Sequence, residues 1–238
     1  MVSLQGLQKL TLLDYPGQVA CTVFTGGCNF RCPFCQNGDL LPCGQPSQYT
    51  EAGLLAFLQS RRGLLDGVCI SGGEPLLQAE LPQLLEQIKA MGYLGFAVKL
   101  DTNGSHPRAL VDLVERKLVD YVAMDIKSSP SQYGAACGVG ALYWPQVQRS
   151  VEFLLQNRLS YEFRTTVVRE LHGPEELQAI GRWLQGAQRY FLQSFENSER
   201  VLQPGLHSYS AAELEALRQV VLPWLPQAKL RGVTVDQA

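Results

Sequence analysis

Short apolar runs alternate with longer amphipathic stretches along most of this chain. Residues 19–24, 68–71, 96–101, 121–125, 161–168 and 190–195 each read as a strand. Several are dense in Val, Ile and Phe, which suits parallel strands buried on both faces. Between them, residues 51–61 carry Leu54, Leu55 and Leu58 on one face of a predicted helix, and residues 81–91 carry Leu84, Leu85 and Ile88, with Gly92 as a stop. Residues 107–117, 145–157, 174–185 and 211–221 complete the helical set. Pro107, Pro145 and Pro174 suit a first turn, where a missing N–H costs nothing, and Ser210 with Glu213 makes a capping box. Six strand–helix repeats predict an α/β fold, a partial (β/α)6 TIM-like barrel, with active residues at the carboxyl ends of the strands. Periodicity alone leaves a flat, doubly wound sheet open as the alternative.

Composition narrows the function classes. With 238 residues the chain is long enough for one full core, and 46% apolar with 18% charged residues is ordinary for a globular enzyme. A formal net charge of -2 gives no electrostatic footprint for nucleic acid or an anionic membrane surface. No apolar run is long enough to span a bilayer, and the first ten residues lack the charged head and apolar block of a signal peptide. The expectation is a cytoplasmic protein of one domain, residues 1–238, with a core over 18–196 and an extension over 197–238.

Seven cysteines in a chain without an export signal argue against a disulfide framework. Cys21 and Cys69 fall inside predicted strands and read as small core residues, and Cys137 is placed in a loop. Cys28, Cys32 and Cys35 lie within eight residues, directly after the first predicted strand and behind Gly26 and Gly27, whose freedom allows a sharp turn and close approach to a ligand. Iron–sulfur clusters usually take four thiolates, so three leave one iron with an open position. A zinc knot completed by a residue such as Cys43 is the alternative, although only one C-x-x-C arm, Cys32 to Cys35, is present.

The C-x-x-x-C-x-x-C spacing, with an aromatic before the last Cys, resembles the radical S-adenosylmethionine superfamily. The resemblance runs from about residue 4 to residue 196. It continues through Gly72-Gly73-Glu74-Pro75, through Asp101-Thr102-Asn103-Gly104 and through Asp125-Ile126-Lys127 at successive strand ends. That series is similar to the glycyl-radical-enzyme activases, pyruvate formate-lyase activating enzymes among them. The stretch from Leu10 to Gly17, with Glu162-Phe163-Arg164-Thr165-Thr166 and Phe191-Leu192-Gln193, is closer to the anaerobic ribonucleoside-triphosphate reductase activating proteins.

The resemblance implies a fold of the radical SAM type and a [4Fe-4S] cluster on Cys28, Cys32 and Cys35. The open iron would chelate S-adenosyl-L-methionine, and one electron would cleave it to methionine and a 5′-deoxyadenosyl radical. That radical would generate a glycyl radical on a partner enzyme, with anaerobic ribonucleotide reductase expected first. The alternatives are a pyruvate formate-lyase-type activase, or an enzyme acting on a small molecule, as 7-carboxy-7-deazaguanine synthase does. By the same resemblance Gly72, Gly73 and Glu74 would receive the methionine moiety. Phe34 and Asn37 would face the nucleoside, and Lys127 and Arg164 would contact S-adenosylmethionine. Asp101, Thr102, the carbonyl of Ala123 and Asp125 would hold a monovalent cation.

Plainer readings stand beside these. Phe34 could be core packing, Glu74 a solvated residue at a strand-end turn, Arg164 an ion-pair partner of Glu162 on the same strand face, and the two aspartates strand-end caps. Phe195 stands where the formate-lyase activase has a histidine, and neither His172 nor His207 matches that position. The chain has no second, ferredoxin-type cysteine cluster, so a flavodoxin- or ferredoxin-like donor would have to supply the electron.

Overall fold

The computed structural model describes residues 1–91 and 95–233. Gly92, the expected helix stop, lies outside the described residues, as do Thr234 and Val235, the end of the 229–235 stretch that the sequence offers as an edge strand or a partner-docking tail. Eight strands, β1 to β8, follow one another in a mostly parallel sheet in simple chain order. A doubly wound sheet reverses its strand order at a switch point. This order never reverses, so the doubly wound alternative is excluded and each strand is laid beside its predecessor. The Cα positions group into two compact units.

The first unit comprises residues 1–29, 39–102 and 106–123. It holds β1 (Leu4–Thr11), β2 (Ala20–Thr25), α1 (Glu51–Ser60), β3 (Gly67–Gly72), α2 (Leu81–Lys89), β4 (Ala97–Thr102), α3 (Pro107–Glu115) and the first three residues of β5 (Tyr121–Asp125). Strands β2, β3 and β4 pair in parallel, and Val68, Ile70, Val98 and Leu100 are fully buried, as the dense apolar runs predict. Helix α2 buries Leu81, Leu84, Leu85 and Ile88, one face at helical spacing. Each such leucine taken from water stabilises the unit by roughly 2 kcal/mol. Thr50 caps α1 by accepting from the Gly53 amide.

Strand β1 was not expected. It pairs antiparallel with β2, and two register shifts, between Leu4 and Gly6 and between Gln8 and Thr11, break its alternation. A period-2 signal cannot survive such slips.

The second unit comprises residues 30–38, 103–105 and 124–238. Its elements are the end of β5, α4 (Tyr133–Cys137), α5 (Trp144–Leu154), β6 (Ser160–Val167), α6 (Pro174–Trp183), β7 (Tyr190–Ser194), α7 (Ala211–Val221) and β8 (Lys229–Arg231). Strands β6, β7 and β8 are parallel, and α7 carries the expected Ser210–Glu213 capping box. Cys137 is not in a loop: it closes the short helix α4 and is buried, accepted there because a thiol packs as a small hydrophobe. Tyr133, Trp144 and Trp183 stack α4, α5 and α6 together with ring centroids 5.0 to 6.0 Å apart. Residues 229–231 of the C-terminal stretch form the edge strand, and Arg231 reaches back to clasp Glu162 through two bonds of 2.6 and 3.0 Å. Among the described residues no helix is long and apolar enough to cross a membrane.

Candidate functional site

In the first unit the carboxyl ends of β2, β3 and β4 bring together the Gly26–Cys28 turn, Gly72-Gly73-Glu74 and Asp101-Thr102. Their approach is set by backbone. The Gly73 amide donates to Thr25 O at 2.9 Å, the Glu74 amide to Gly27 O at 2.8 Å, and the Gly27 amide to Leu40 O at 2.7 Å. A Cβ on Gly73 would lie 2.1 Å from the Gly27 carbonyl oxygen. Gly72 adopts φ +120°, and its Cβ would lie 2.3 Å from the Thr25 nitrogen. Both glycines are therefore required by the close approach of two strand-end loops.

Glu74 is not a solvated turn residue. It is fully buried, and its Oε1 accepts from the Leu76 amide at 3.1 Å and from the Thr102 hydroxyl at 2.8 Å. Asp101 accepts from Ser71 Oγ at 3.0 Å and pairs with Lys99. Cys28 is half-buried, its amide held by Leu41 O at 3.2 Å. Cys43, the extra ligand of the zinc alternative, is exposed, and its Sγ lies 2.8 Å from where a Gly27 Cβ would stand.

The second unit holds Cys32, Phe34, Cys35 and Asn37. The Cys35 amide closes a turn on Cys32 O at 3.0 Å. Cys32 is buried, Cys35 half-buried and Asn37 exposed. Three contacts fasten this loop. The Arg31 amide donates to Cys137 O, the Gln203 amide to Pro33 O, both at 2.9 Å, and Gln36 Nε2 donates to Glu196 O at 2.9 Å. Glu196, at the end of the expected core, and Gln203, in the C-terminal extension, thus brace the cysteine loop, a role with no signature in the sequence.

Phe34 is buried with its ring 5.9 Å from that of His172 and 5.9 Å from Lys127 Nζ. Lys127 pairs with Asp125 at 2.9 Å, and Arg164 Nε pairs with the other Asp125 oxygen at 2.5 Å. Arg164 therefore serves Asp125, while Glu162, its expected strand-mate, is taken by Arg231. Burial alone would raise the Asp125 pKa, but the charges of Arg164 and then Lys127 outweigh it and hold the carboxyl well below its usual range. Burial opposes the charge on Lys127, and Asp125 with Cys32 more than restores it, so the cation persists beside the Cys32 sulfur. Elsewhere burial pushes the Cys21 thiol up to about 12, in keeping with an inert core residue.

His172 was not singled out by sequence. It is fully buried, its Nδ1 accepts from the Val168 amide at 2.9 Å, and its Nε2 lies 2.8 Å from Lys127 O. The two bonds require the neutral ring protonated on Nε2. Burial lowers its pKa, and burial lowers that of His106 in the same sense. A base with a depressed folded pKa takes up a proton on unfolding below about pH 6.5, so stability is full above that pH and falls beneath it. Urea unfolding is expected to show a loss approaching 1.4 kcal/mol per pH unit for each such histidine below about pH 6.5. His172→Gln is expected to flatten that slope, and an unchanged slope in the variant would refute the assignment.

The site's chemistry bears on what it can hold. Cys28, Cys32 and Cys35 follow one another on one loop with no disulfide among them, with a lysine beside Cys32 and two glycines allowing close backbone approach. This donor set fits a cluster carried by three thiolates. Among the described residues no three His, Cys, Asp or Glu side chains converge as ligands of a single metal ion, the arrangement a zinc knot requires. In an iron–sulfur cluster each thiolate takes a different iron, and convergence on one point is not needed.

Comparison with known proteins supplies the family. The Radical SAM superfamily profile matches residues 22–182. A Methanocaldococcus jannaschii protein, provisionally named a glycyl-radical enzyme activating enzyme, is 30% identical over 207 residues, 80% of this chain and 79% of its own. The anaerobic ribonucleoside-triphosphate reductase-activating protein of Salmonella typhimurium is 28% identical over 127 residues, 49% of this chain and 82% of its own. Among solved structures, Streptococcus suis SuiB bound to S-adenosylmethionine superposes with a TM-score of 0.68 at 14% identity. The match covers 87% of this chain and 48% of SuiB, a likeness of fold. With the profile spanning most of its length and a relative matched along four fifths of both sequences, the chain belongs to the radical SAM superfamily.

Proposed function

We propose that this protein is the activase of a glycyl-radical enzyme, and that its partner is an anaerobic ribonucleoside-triphosphate reductase. The observation that carries this reading is the similarity to an activating enzyme along four fifths of both chains, joined by the match to most of a reductase-activating protein. Membership of the superfamily implies a [4Fe-4S] cluster and S-adenosylmethionine. When bound, that pair supplies a carbon-centred radical from one electron, chemistry that belongs to the cofactor and not to the polypeptide.

The chain's own residues bind, orient and shield. Cys28, Cys32 and Cys35 are the cluster ligands in this reading. Gly72 and Gly73 let main chain run beside the methionine moiety, and Glu74, already fixed by Thr102 and Leu76, offers a carboxylate to its ammonium group. Phe34 and Asn37 face the nucleoside. Lys127 and Arg164, locked on Asp125, hold positive charge near the carboxylate of S-adenosylmethionine. Cys32 and Phe34 are buried, which limits the access of water to that part of the cysteine loop. All 238 residues act as one catalytic domain, reduced by a flavodoxin- or ferredoxin-like donor.

The test mixes the reduced, reconstituted protein with S-adenosylmethionine and an anaerobic ribonucleotide reductase. The expected result is a glycyl doublet in electron paramagnetic resonance, with release of 5′-deoxyadenosine in proportion. Deoxyadenosine release without a doublet, under strict exclusion of oxygen, would overturn the choice of partner.

A further inference from the structure

The resemblance places a monovalent cation on Asp101, Thr102, the Ala123 carbonyl and Asp125, but the side chains of the two aspartates are already engaged. In the first unit Lys99 precedes Asp101 by two residues on β4, so both side chains leave the same face of the strand. Lys99 is 1% exposed, its Nζ pairs with Asp101 Oδ1, and it stands 3.7 Å from Cys69 Sγ. The strand register lines Thr22, Cys69 and Lys99 up in one row across β2, β3 and β4. The adjoining row carries Ser71, whose hydroxyl donates to Asp101 Oδ2 at 3.0 Å.

A lysine buried to this degree needs an anion, and a carboxylate so paired has one oxygen facing the ammonium and the other holding a hydroxyl. A second cation brought to Asp101 would meet the repulsion of the first. In the second unit Asp125 is matched twice over, by Lys127 and by Arg164. The arrangement of donors therefore does not fit an added monovalent ion.

We propose that the ammonium group of Lys99 takes the place of that ion, so that this protein binds S-adenosylmethionine without a monovalent cation. Lys99 is a positioning residue: it fixes Asp101 at the carboxyl end of β4 and supplies the unit charge from within the fold. The inference rests on S-adenosylmethionine as ligand and is independent of which partner enzyme is activated.

The test is equilibrium dialysis of S-adenosylmethionine against the anaerobically reconstituted protein, in potassium, sodium or tetramethylammonium chloride at equal ionic strength. The wild type is expected to show the same affinity in all three salts within about twofold. Lys99→Met is expected to bind at least about tenfold more weakly in tetramethylammonium and to recover in potassium or sodium. Recovery specific to small cations is a readout that a merely structural lysine would not give. A wild-type protein that needs potassium or sodium for binding would overturn the proposal. So would a Lys99→Met variant that binds normally in tetramethylammonium, or one that no salt restores. Should the variant fail to fold, the salt series on the wild type decides alone. Loss of the glycyl doublet with these binding results intact would count against the partner assignment only.

Discussion

Replacing Cys32 by alanine is expected to abolish both the iron–sulfur chromophore and the cleavage of S-adenosylmethionine while leaving the fold in place. Loss of a partner one shell away from a metal typically costs 10- to 100-fold, so loss of a ligand itself is expected to lower cleavage by about 1,000-fold or more. The fold should survive because the change removes one sulfur from a loop whose fastening is main-chain: Arg31 to Cys137, and Pro33 to Gln203. The measurements are iron and sulfide content, the visible charge-transfer band and 5′-deoxyadenosine release, with far-ultraviolet circular dichroism as the check on folding. Two controls sharpen the result. Cys137→Ala removes a buried thiol at the end of α4 and should keep the cluster. Cys43→Ala should also keep it, whereas a zinc knot using Cys43 would lose metal. A Cys32→Ala protein that stays brown and active would end the cluster assignment.

The second large effect is on stability. Gly73→Ala would drive a methyl group to within 2.1 Å of the Gly27 oxygen and 2.7 Å of its carbonyl carbon, both backbone atoms that cannot rotate away. Relief requires the two loops to part, which also gives up the bond from the Glu74 amide to Gly27 O. Overpacking and a lost buried hydrogen bond together predict a loss of about 3 kcal/mol or more in urea unfolding. Gly17→Ala is the contrasting control: Gly17, unlike Gly73, has positive φ, and its Cβ would meet nothing within 4 Å, so only about 1–2 kcal/mol of left-handed strain is expected. Gly27 directly precedes Cys28, and the same substitution is therefore expected to lower cluster occupancy in whatever protein still folds. An unchanged urea midpoint would show that the loops are not in contact as described.

Strands β2 to β7 could be read from sequence because burial on both faces demands unbroken Val, Ile and Phe, and that demand leaves a local trace. The helices were legible for the same kind of reason, with Leu84, Leu85 and Ile88 on one stripe. Strand β1 left no such trace, since its register slips twice. Gly72 and Gly73 were legible as a strand-end turn, because a close approach of backbone to backbone has few other solutions. What stayed hidden was pairing across distance. Arg164 finds Asp125, 39 residues earlier, and Glu162 finds Arg231, 69 residues later. Nothing local selects between those partners and the neighbour two positions away. Lys99 did carry a signal: a lone cation in a strand otherwise built for burial implies an anion on the same face, and Asp101 is two residues on. His172 carried none, because its partners are the amide of Val168 and the carbonyl of Lys127, groups every residue possesses.

The bracing of the cysteine loop by Glu196 and Gln203 has a corollary for substitution. Of its two bonds, one joins main chain to main chain and the other joins Gln36 to a main-chain oxygen, so neither depends on the identity of Glu196, Arg200 or Gln203. Gly38 is sterically constrained there, its Cβ direction filled at 2.7 Å by the Arg200 carbonyl oxygen. Side chains at Glu196 and Gln203 can thus change without breaking either bond, while the cysteine-bearing turn they brace keeps its shape.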